Sequence, residues 1–167
     1  LVQFVLITFS PVLSKETGFC SSPWIPYAAR CFLLQRTKKT WTEAQSECRK
    51  DGGDLASIHN IEQHSFVMSQ LGYAAADELW IGMNDVKMSL LFDWSDQSAV
   101  TFTRWEEGEP NNYNGVESCA EMKNSHWDEE GSWNDVDCEV YNHWLCEIPK
   151  GTVRATTTGC VRSLKVL

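Results

Sequence analysis

The sequence predicts an α+β domain that is held together by disulfide bonds. Two segments with a helical spacing of apolar residues come first, and short segments rich in β-branched and aromatic residues follow them. That order of helices and then strands is typical of the α+β class. Seven cysteines, at positions 20, 31, 48, 119, 138, 146 and 160, include no Cys-x-x-Cys pair. Their wide spacing favours disulfides in an oxidising compartment over a zinc or thiol redox site.

Length and charge predict one domain with two short tails and no nucleic acid partner. A chain of 167 residues fits a single domain, which we place at residues 20–149, with an N-terminal flank at 1–19 and a tail at 150–167 that contains Cys160. Residues 1–13 are apolar but too few for a membrane helix, which needs about 20. We interpret them as the end of a signal peptide, a strand or, preferably, the flank of a fragment. The net charge of −9 argues against nucleic acid, because phosphates require clustered Lys and Arg.

The first element is expected to be a small hairpin over residues 20–34. Ten residues separate Cys20 from Cys31, and a turn must fall at residues 28–30. A bridge between these two cysteines would staple the hairpin.

A first helix is expected to begin after Thr40. Glu43 stands three residues on, which is the spacing of a capping box that satisfies two backbone N–H groups. Apolar residues then recur on one helical face, at Trp41, Ala44 and Cys48. Gly52 or Gly53 is expected to end the helix in the left-handed conformation.

A second helix is expected after a short buried strand or turn at residues 55–58. Asn60 and Gln63 repeat the capping spacing. The predicted apolar stripe continues to Gly72 and consists of Ile61, Met68 and Leu71.

Short strands are expected from residue 79 onward, at 79–83, 92–95, 100–105, 119–122, 132–133 and 143–148. An irregular polar excursion interrupts them at residues 123–131. Five tryptophans keep a helix or strand period and are expected in the core, namely Trp41, Trp80, Trp94, Trp105 and Trp144. Trp133 is expected to pack as well and to direct its neighbour Asn134.

The polar loop at residues 106–116 is the candidate functional element, because it is too long for a simple connection. Two segments around it carry hard oxygen donors, which are Glu109, Asn111 and Glu117 in the first and Asn134 and Asp135 in the second. Ca²⁺ prefers six to eight such oxygens at about 2.3–2.6 Å. The Glu109-Pro110 bond can be cis at modest cost and would then form a tight turn. These residues predict a calcium site that is left partly open for a ligand.

Several motifs together resemble the C-type lectin-like domain over residues 20–149. They are Trp80-Ile81-Gly82-Met83, Trp94-Ser95-Asp96, Glu109-Pro110-Asn111 and Trp133-Asn134-Asp135, together with the cysteine frame. Residues 24–28, 53–59 and 77–82 are most similar to modules of the macrophage mannose receptor family. The resemblance implies the long form of the fold, with two helices, small antiparallel sheets and a long calcium-binding loop. It also implies disulfides Cys20–Cys31, Cys48–Cys146 and Cys119–Cys138, whereas spacing alone leaves 15 pairings of six cysteines open.

The resemblance also implies a function, which is calcium-dependent binding of glycans with terminal mannose, fucose or N-acetylglucosamine. The implied ligands of one principal Ca²⁺ also contact the sugar; they are Glu109, Asn111, Glu117, Asn134 and Asp135. Tyr113 is a candidate for packing on the sugar ring. The domain would then be one extracellular module, secreted or in a receptor ectodomain, with sister lectin modules of the same chain as possible partners.

Two other functions stay open at this point, whereas an auxiliary calcium site and an enzymatic activity are not expected. An auxiliary calcium site is not expected, because only Asp85 matches a ligand, whereas Ser89, Asn112 and Ser118 stand where carboxylates would be needed. A lectin-like domain that binds protein without sugar or calcium is the main alternative, and an ice-binding or purely structural module is another. Glycoside hydrolysis by Glu109 and Glu117 is disfavoured, because metal-bound carboxylates lack the proton that a general acid donates.

Overall fold

A computed structural model of the protein describes residues 18–70, 78–123 and 131–151. The predictions for Leu71, Gly72, Cys160 and most of the excursion at 123–131 lie outside these ranges. The elements, in chain order, are β1 (Ile25–Tyr27), β2 (Arg30–Lys39), α1 (Trp41–Lys50), β3 (Asp54–Leu55), α2 (Ile61–Gln70), β4 (Glu78–Asn84), β5 (Asp93–Trp94), a 3₁₀ turn (Tyr113–Gly115), β6 (Glu117–Lys123), β7 (Trp133–Asp137) and β8 (Asn142–Pro149). Within the described ranges no helix is long and apolar enough to cross a membrane.

The strands form one mixed sheet in the order β1-β2-β8-β4-β6-β7, with β3 paired to β8 and β5 paired to β4. The predicted hairpin is confirmed, since β1 and β2 pair antiparallel around residues 28 and 29. The expected small antiparallel sheets are joined into a single sheet because β4 and β8 run parallel, with Trp80 opposite Trp144. This order places β7, which carries Asn134 and Asp135, at the edge opposite the hairpin.

The first helix confirms the capping prediction. The Thr40 hydroxyl accepts a hydrogen bond from the Glu43 backbone N–H at 3.4 Å, and the Glu43 carboxylate accepts one from the Thr40 N–H at 3.2 Å. The predicted face is buried, with Trp41 at 6% exposure and Ala44 and Cys48 fully enclosed. Gly52, with φ of 85°, takes the left-handed position after the helix end.

The second helix exists, but its predicted apolar stripe is wrong at Ile61, which is 47% exposed. The buried residue is Val67, on a face it shares with Gln63 and His64. Polar contacts set this orientation, because Gln63 accepts a hydrogen bond from the His59 N–H at 3.1 Å and donates to the Ser57 carbonyl at 2.6 Å. The helix therefore turns a glutamine inward and the first isoleucine outward.

The predicted strand at residues 100–105 is wrong. Only Trp105 forms a bridge, to Trp133, and the remaining residues lie outside any strand. The segment is held by aromatic packing, with Phe102 and Trp105 edge-on to the buried Trp133 at ring-centroid distances of 5.8 and 6.0 Å. Trp105 is consequently only partly buried, in contrast to the four other tryptophans that were predicted in the core.

Three disulfides join Cys20 to Cys31, Cys48 to Cys146 and Cys119 to Cys138, as the resemblance implied. The second ties α1 to β8, and the third ties β6 to the residue that follows β7. The disulfides therefore fasten the sheet near its middle and at the edge that carries the candidate site.

A buried carboxyl in β8 gives a prediction for the pH dependence of stability. Burial raises the pKa of Glu147 from 4.5 to about 7, although Arg30 and the Ser57 hydroxyl oppose the shift. The folded protein therefore holds a proton that the unfolded chain has lost, and this contribution to stability disappears as the pH rises from 4.5 through about 7. Glu147→Gln should flatten this decline and stabilise the protein at about pH 8, by on the order of 1 kcal/mol or more. Urea unfolding at several pH values measures it. Glu62→Gln, at an exposed position of α2, is the matched control, and parallel curves for wild type and Glu147→Gln would contradict the prediction.

Candidate functional site

The site begins at a tight turn in the loop between Trp105 and β6. The Glu109-Pro110 peptide bond is cis, and the Glu109 N–H donates to the Glu106 carbonyl at 3.0 Å. The Glu106 N–H in turn donates to the Trp133 carbonyl at 2.9 Å, which fixes the loop to β7. The turn therefore brings the first donor segment beside the second, as predicted.

Asp135 is the centre of the site and is fully buried. Its Oδ1 accepts a hydrogen bond from the Asn111 backbone N–H at 3.0 Å, and its Oδ2 accepts one from the Asn112 N–H at 2.8 Å. A buried carboxylate that accepts two backbone hydrogen bonds is strongly oriented. Asp135 consequently closes the loop onto the edge strand of the sheet.

Glu109, Asn111 and Asn134 surround this carboxylate. The Asn111 side chain donates to Glu109 Oε1 at 2.8 Å. The Asn134 amide makes the most hydrogen bonds when its Nδ2 donates to Glu109 Oε1 and Oε2, at 3.2 and 3.3 Å. In this orientation its oxygen accepts a hydrogen bond from Lys123 Nζ at 3.2 Å. In the opposite orientation it contacts Glu121 at 3.4 Å. Four of the five predicted ligands are thus in one hydrogen-bonded group.

The fifth predicted ligand, Glu117, lies on the other side of Asn112. Its Oε2 accepts from the Tyr113 N–H at 2.7 Å, and its own N–H donates to the Asn112 side-chain oxygen at 3.1 Å. Tyr113 itself is 67% exposed and makes no ring stacking within the described residues. The exposed ring leaves its predicted packing on a sugar ring a prediction.

The electrostatics of the site fit a divalent cation. Partial burial, a hydrogen bond to Asp135 and the negative charges of Asp135 and Glu117 raise the pKa of Glu109 from 4.5 to about 7, against the opposing charge of Lys123. Carboxylates that repel one another in this way are relieved by a cation. In the described part of the chain no three acidic, His or Cys side chains are already arranged as a metal shell. Amide oxygens of Asn111 and Asn134 would have to complete the set, which suits Ca²⁺ rather than a transition metal.

The residues at the position of an auxiliary calcium site are mostly neutral. The Ser89 hydroxyl accepts a hydrogen bond from the Asn112 side chain at 3.1 Å. The Ser118 backbone carbonyl accepts a hydrogen bond from the Asp85 N–H at 3.0 Å. Asp85 accepts the Leu90 N–H at 2.6 Å through one oxygen. A single carboxylate among neutral side chains provides little to hold a second cation.

Sequence reasoning missed two contributors to the site. Asn112 was considered only as an absent carboxylate, yet it adopts a left-handed conformation with φ of 48° and connects Glu117 to Ser89. Asparagine tolerates that conformation better than most residues, and this tendency was the available signal. Lys123 was assigned only to the start of the excursion, and nothing in its sequence position indicates its contact with Glu106 at 3.4 Å.

Comparison with known proteins identifies the class. The model of the Lectin C-type domain family matches residues 37–148, and the chain belongs to this family. It is 41% identical over 129 residues to human C-type mannose receptor 2, an alignment that covers 77% of this chain and 8% of the receptor. The chain thus spans a small part of the length of the curated relatives that it matches.

Two solved structures with the same fold come from proteins described by different functions. A herring type II antifreeze protein superposes with a TM-score of 0.71 at 31% identity, covering 78% of this chain and 98% of that one. The carbohydrate-recognition domain of cow CD23, solved in the presence of a GlcNAc2Man3 oligosaccharide, superposes with a TM-score of 0.70 at 28% identity, covering 79% and 97%. The fold is therefore shared by proteins with unlike ligands, and function must be argued from the site.

Proposed function

We propose that this domain binds terminal mannose, fucose or N-acetylglucosamine through one Ca²⁺, as an extracellular module of a receptor. The observation that carries the proposal is the convergence of Glu109, Asn111 and Asn134 on the buried Asp135. The raised pKa of Glu109 adds support, because partial burial and then the negative charges of Asp135 and Glu117 raise it, and a cation would offset those charges. Three disulfides support an extracellular location, since such bonds persist in oxidising compartments.

Each residue has a defined task in this proposal. A bound Ca²⁺ would supply a centre at which two adjacent sugar hydroxyls each place one lone pair. Glu109 and Glu117 accept hydrogen bonds from those hydroxyls, and the amides of Asn111 and Asn134 donate to them. Asp135 keeps the loop closed, and Tyr113 covers the apolar face of the sugar ring. No residue is assigned a catalytic role, because carboxylates that bind Ca²⁺ are ionised and then have no proton to donate.

Isothermal titration with methyl α-mannoside, with Ca²⁺ and then with EDTA, tests the proposal. We expect weak binding, around millimolar or ~4 kcal/mol, that EDTA removes. Several modules on one chain would raise the avidity by ~10²–10⁴. Heat that persists in EDTA, or no heat with Ca²⁺, would refute the proposal.

Binding should weaken in acid. Calcium must displace the proton from Glu109, so the affinity for Ca²⁺ should fall as the pH drops below about 7. Retention on a mannose resin, measured at fixed low Ca²⁺ from neutral pH to about pH 5, checks this expectation. Saturating Ca²⁺ is the control and should restore retention, whereas a flat profile at low Ca²⁺ would contradict competition by protons.

Sugar selectivity should follow Glu109 and Asn111. Glu109→Gln with Asn111→Asp exchanges the positions of amide and carboxylate, and with them the pattern of donors and acceptors offered to the hydroxyls. We expect mannose to lose affinity relative to galactose by about tenfold, or ~1.4 kcal/mol. Competition between the two methyl glycosides on immobilised protein measures the ratio. An unchanged ratio would place the sugar elsewhere.

The relationship to the antifreeze protein keeps a second candidate function in view. A domain that acts on ice or on a protein without calcium would retain its activity in EDTA. Thermal hysteresis or protein binding that is insensitive to EDTA, together with an absence of mannose binding, would favour that alternative.

A further inference from the structure

A loop beside the candidate sugar site exposes four aliphatic side chains within six residues. Val86, Met88, Leu90 and Leu91 are 64, 62, 59 and 57% exposed. We call residues 86–91 the aliphatic loop. Contiguous exposed apolar patches are uncommon on soluble domains and commonly mark binding surfaces.

The loop is held outward by its own hydrogen bonds. The Met88 N–H donates to the Asp85 backbone carbonyl at 2.9 Å, and the Leu90 N–H donates to the Asp85 side-chain Oδ2 at 2.6 Å. The Leu91 N–H donates to the Met88 carbonyl at 3.0 Å. Asp85 is buried at 2% exposure and therefore provides a fixed anchor. The exposure of the four side chains is thus a consequence of the turn geometry.

The aliphatic loop is continuous with the proposed sugar site. Ser89 accepts a hydrogen bond from the Asn112 side chain at 3.1 Å, and the Asp85 N–H donates to the Ser118 carbonyl at 3.0 Å. Asn112 and Ser118 each adjoin a proposed calcium ligand, Asn111 and Glu117 respectively. A molecule held by its sugar at Glu109 and Asn111 would therefore have its next part beside this loop.

The chemistry of the loop favours a hydrocarbon chain over a protein. Its side chains are aliphatic, whereas protein hot spots are enriched in Trp, Tyr and Arg, with Leu and Val under-represented. The N–H groups of Met88, Leu90 and Leu91 are already used internally, and its one charge, Lys87, is paired with Asp93 at 3.7 Å. The net charge of −9 also opposes docking to an anionic bilayer.

We propose that the aliphatic loop holds the alkyl or acyl chain of a glycolipid whose sugar is bound at the calcium site, an inference that rests on the proposed function. Polar contacts to the sugar position the glycolipid, and its alkyl or acyl chain adds affinity by removing apolar surface from water. The domain then prefers a mannoside that carries a lipid chain to the same sugar without one.

Titration of octyl and methyl α-mannoside below the micellar concentration, with Ca²⁺, tests this subsite. We expect octyl mannoside to bind about tenfold more tightly, since burial of about two methylene groups suffices for that factor. Met88→Ser with Leu91→Ser should reduce the gain to within about twofold while leaving methyl mannoside unchanged. Ile61→Ser, at an exposed aliphatic position on α2, is the matched control and should keep the gain.

The outcomes separate this inference from the proposed function. Equal affinities for the two mannosides would overturn the subsite and leave mannose binding intact. Binding of neither mannoside would overturn both. Octyl mannoside binding that survives EDTA would show a sugar-independent apolar surface and contradict a joint site. An equal loss, in the double variant, of binding to a mannose-rich glycopeptide would point to a protein partner and also contradict it.

Discussion

Replacing Asp135 with asparagine should abolish measurable calcium-dependent mannose binding. The substitution keeps the size of the side chain and removes one negative charge from the site. Asp135 accepts hydrogen bonds from the backbone N–H groups of Asn111 and Asn112 at 3.0 and 2.8 Å, and the asparagine amide would turn its own N–H₂ toward one of these donors. Hydrogen bonds to a charged group contribute about 1.5–3 kcal/mol each, so we expect a loss in affinity of at least tenfold to one-hundredfold. Titration of Ca²⁺ and then of methyl mannoside measures it.

The control for this variant is Asp137→Asn on the same strand. The Asp137 side chain is exposed and accepts a hydrogen bond from the Glu139 N–H at 3.0 Å, so its replacement should leave binding within about twofold of wild type. Thermal unfolding should give a lower midpoint for Asp135→Asn than for Asp137→Asn, because buried hydrogen bonds are lost. A single cooperative transition well above the binding temperature in both variants would separate a lost site from a lost fold. Normal mannose binding by Asp135→Asn would remove Asp135 from the proposed site.

Removing the Cys48–Cys146 disulfide should cause the largest loss of stability. The two cysteines are separated by 98 positions, and the chain-entropy relation gives about 4.7 kcal/mol for a loop of about 100 residues. Since domains of this kind are stable by roughly 5–15 kcal/mol, the loss is a large fraction of the whole. Urea unfolding of Cys48→Ala with Cys146→Ala, compared with wild type at one pH, measures the difference.

The Cys20–Cys31 disulfide provides the comparison, because its cysteines are only 11 positions apart. For a loop of about 15 residues the same relation gives about 3 kcal/mol, so Cys20→Ala with Cys31→Ala should be the more stable double variant. An equal loss in the two variants would indicate that local packing, and not closure of the long loop, determines the contribution of each bridge.

Elements specified by neighbouring residues were predictable from the sequence. The start of the first helix follows from Thr40 and Glu43, which cap it within one turn. Its buried face follows from the helical spacing of its apolar residues alone. The second helix shows the limit of that reasoning, because contacts of Gln63 with Ser57 and His59 decide which face is buried. The β-branched segment at 100–105 failed as a strand for a similar reason, since Trp133 holds it through ring contacts that no local pattern reveals.

The candidate site divides in the same way. Motif spacing predicted its two segments, and the hydrogen bonds from the Asn111 and Asn112 N–H groups to Asp135 join them. The contacts of Asn112 with Ser89 and of Lys123 with Glu106 join residues far apart in the chain, so no local pattern indicates them. The role of these five oxygen donors as calcium ligands stays a prediction, to be decided by the titrations described above.

The position of the first and last described residues has a mechanical consequence. The N–H of Gly151 donates to the Phe19 carbonyl at 3.1 Å, and that of Lys150 donates to the Ala29 carbonyl at 3.0 Å, so the chain enters and leaves the domain at one place. Tension applied between neighbouring parts of a longer protein would pass through β1, β2 and β8, where two disulfides lie. The polar loop at residues 106–116 lies at the far edge of the sheet, beside β7, and is off this path. The geometry of the candidate site would therefore be insulated from such tension.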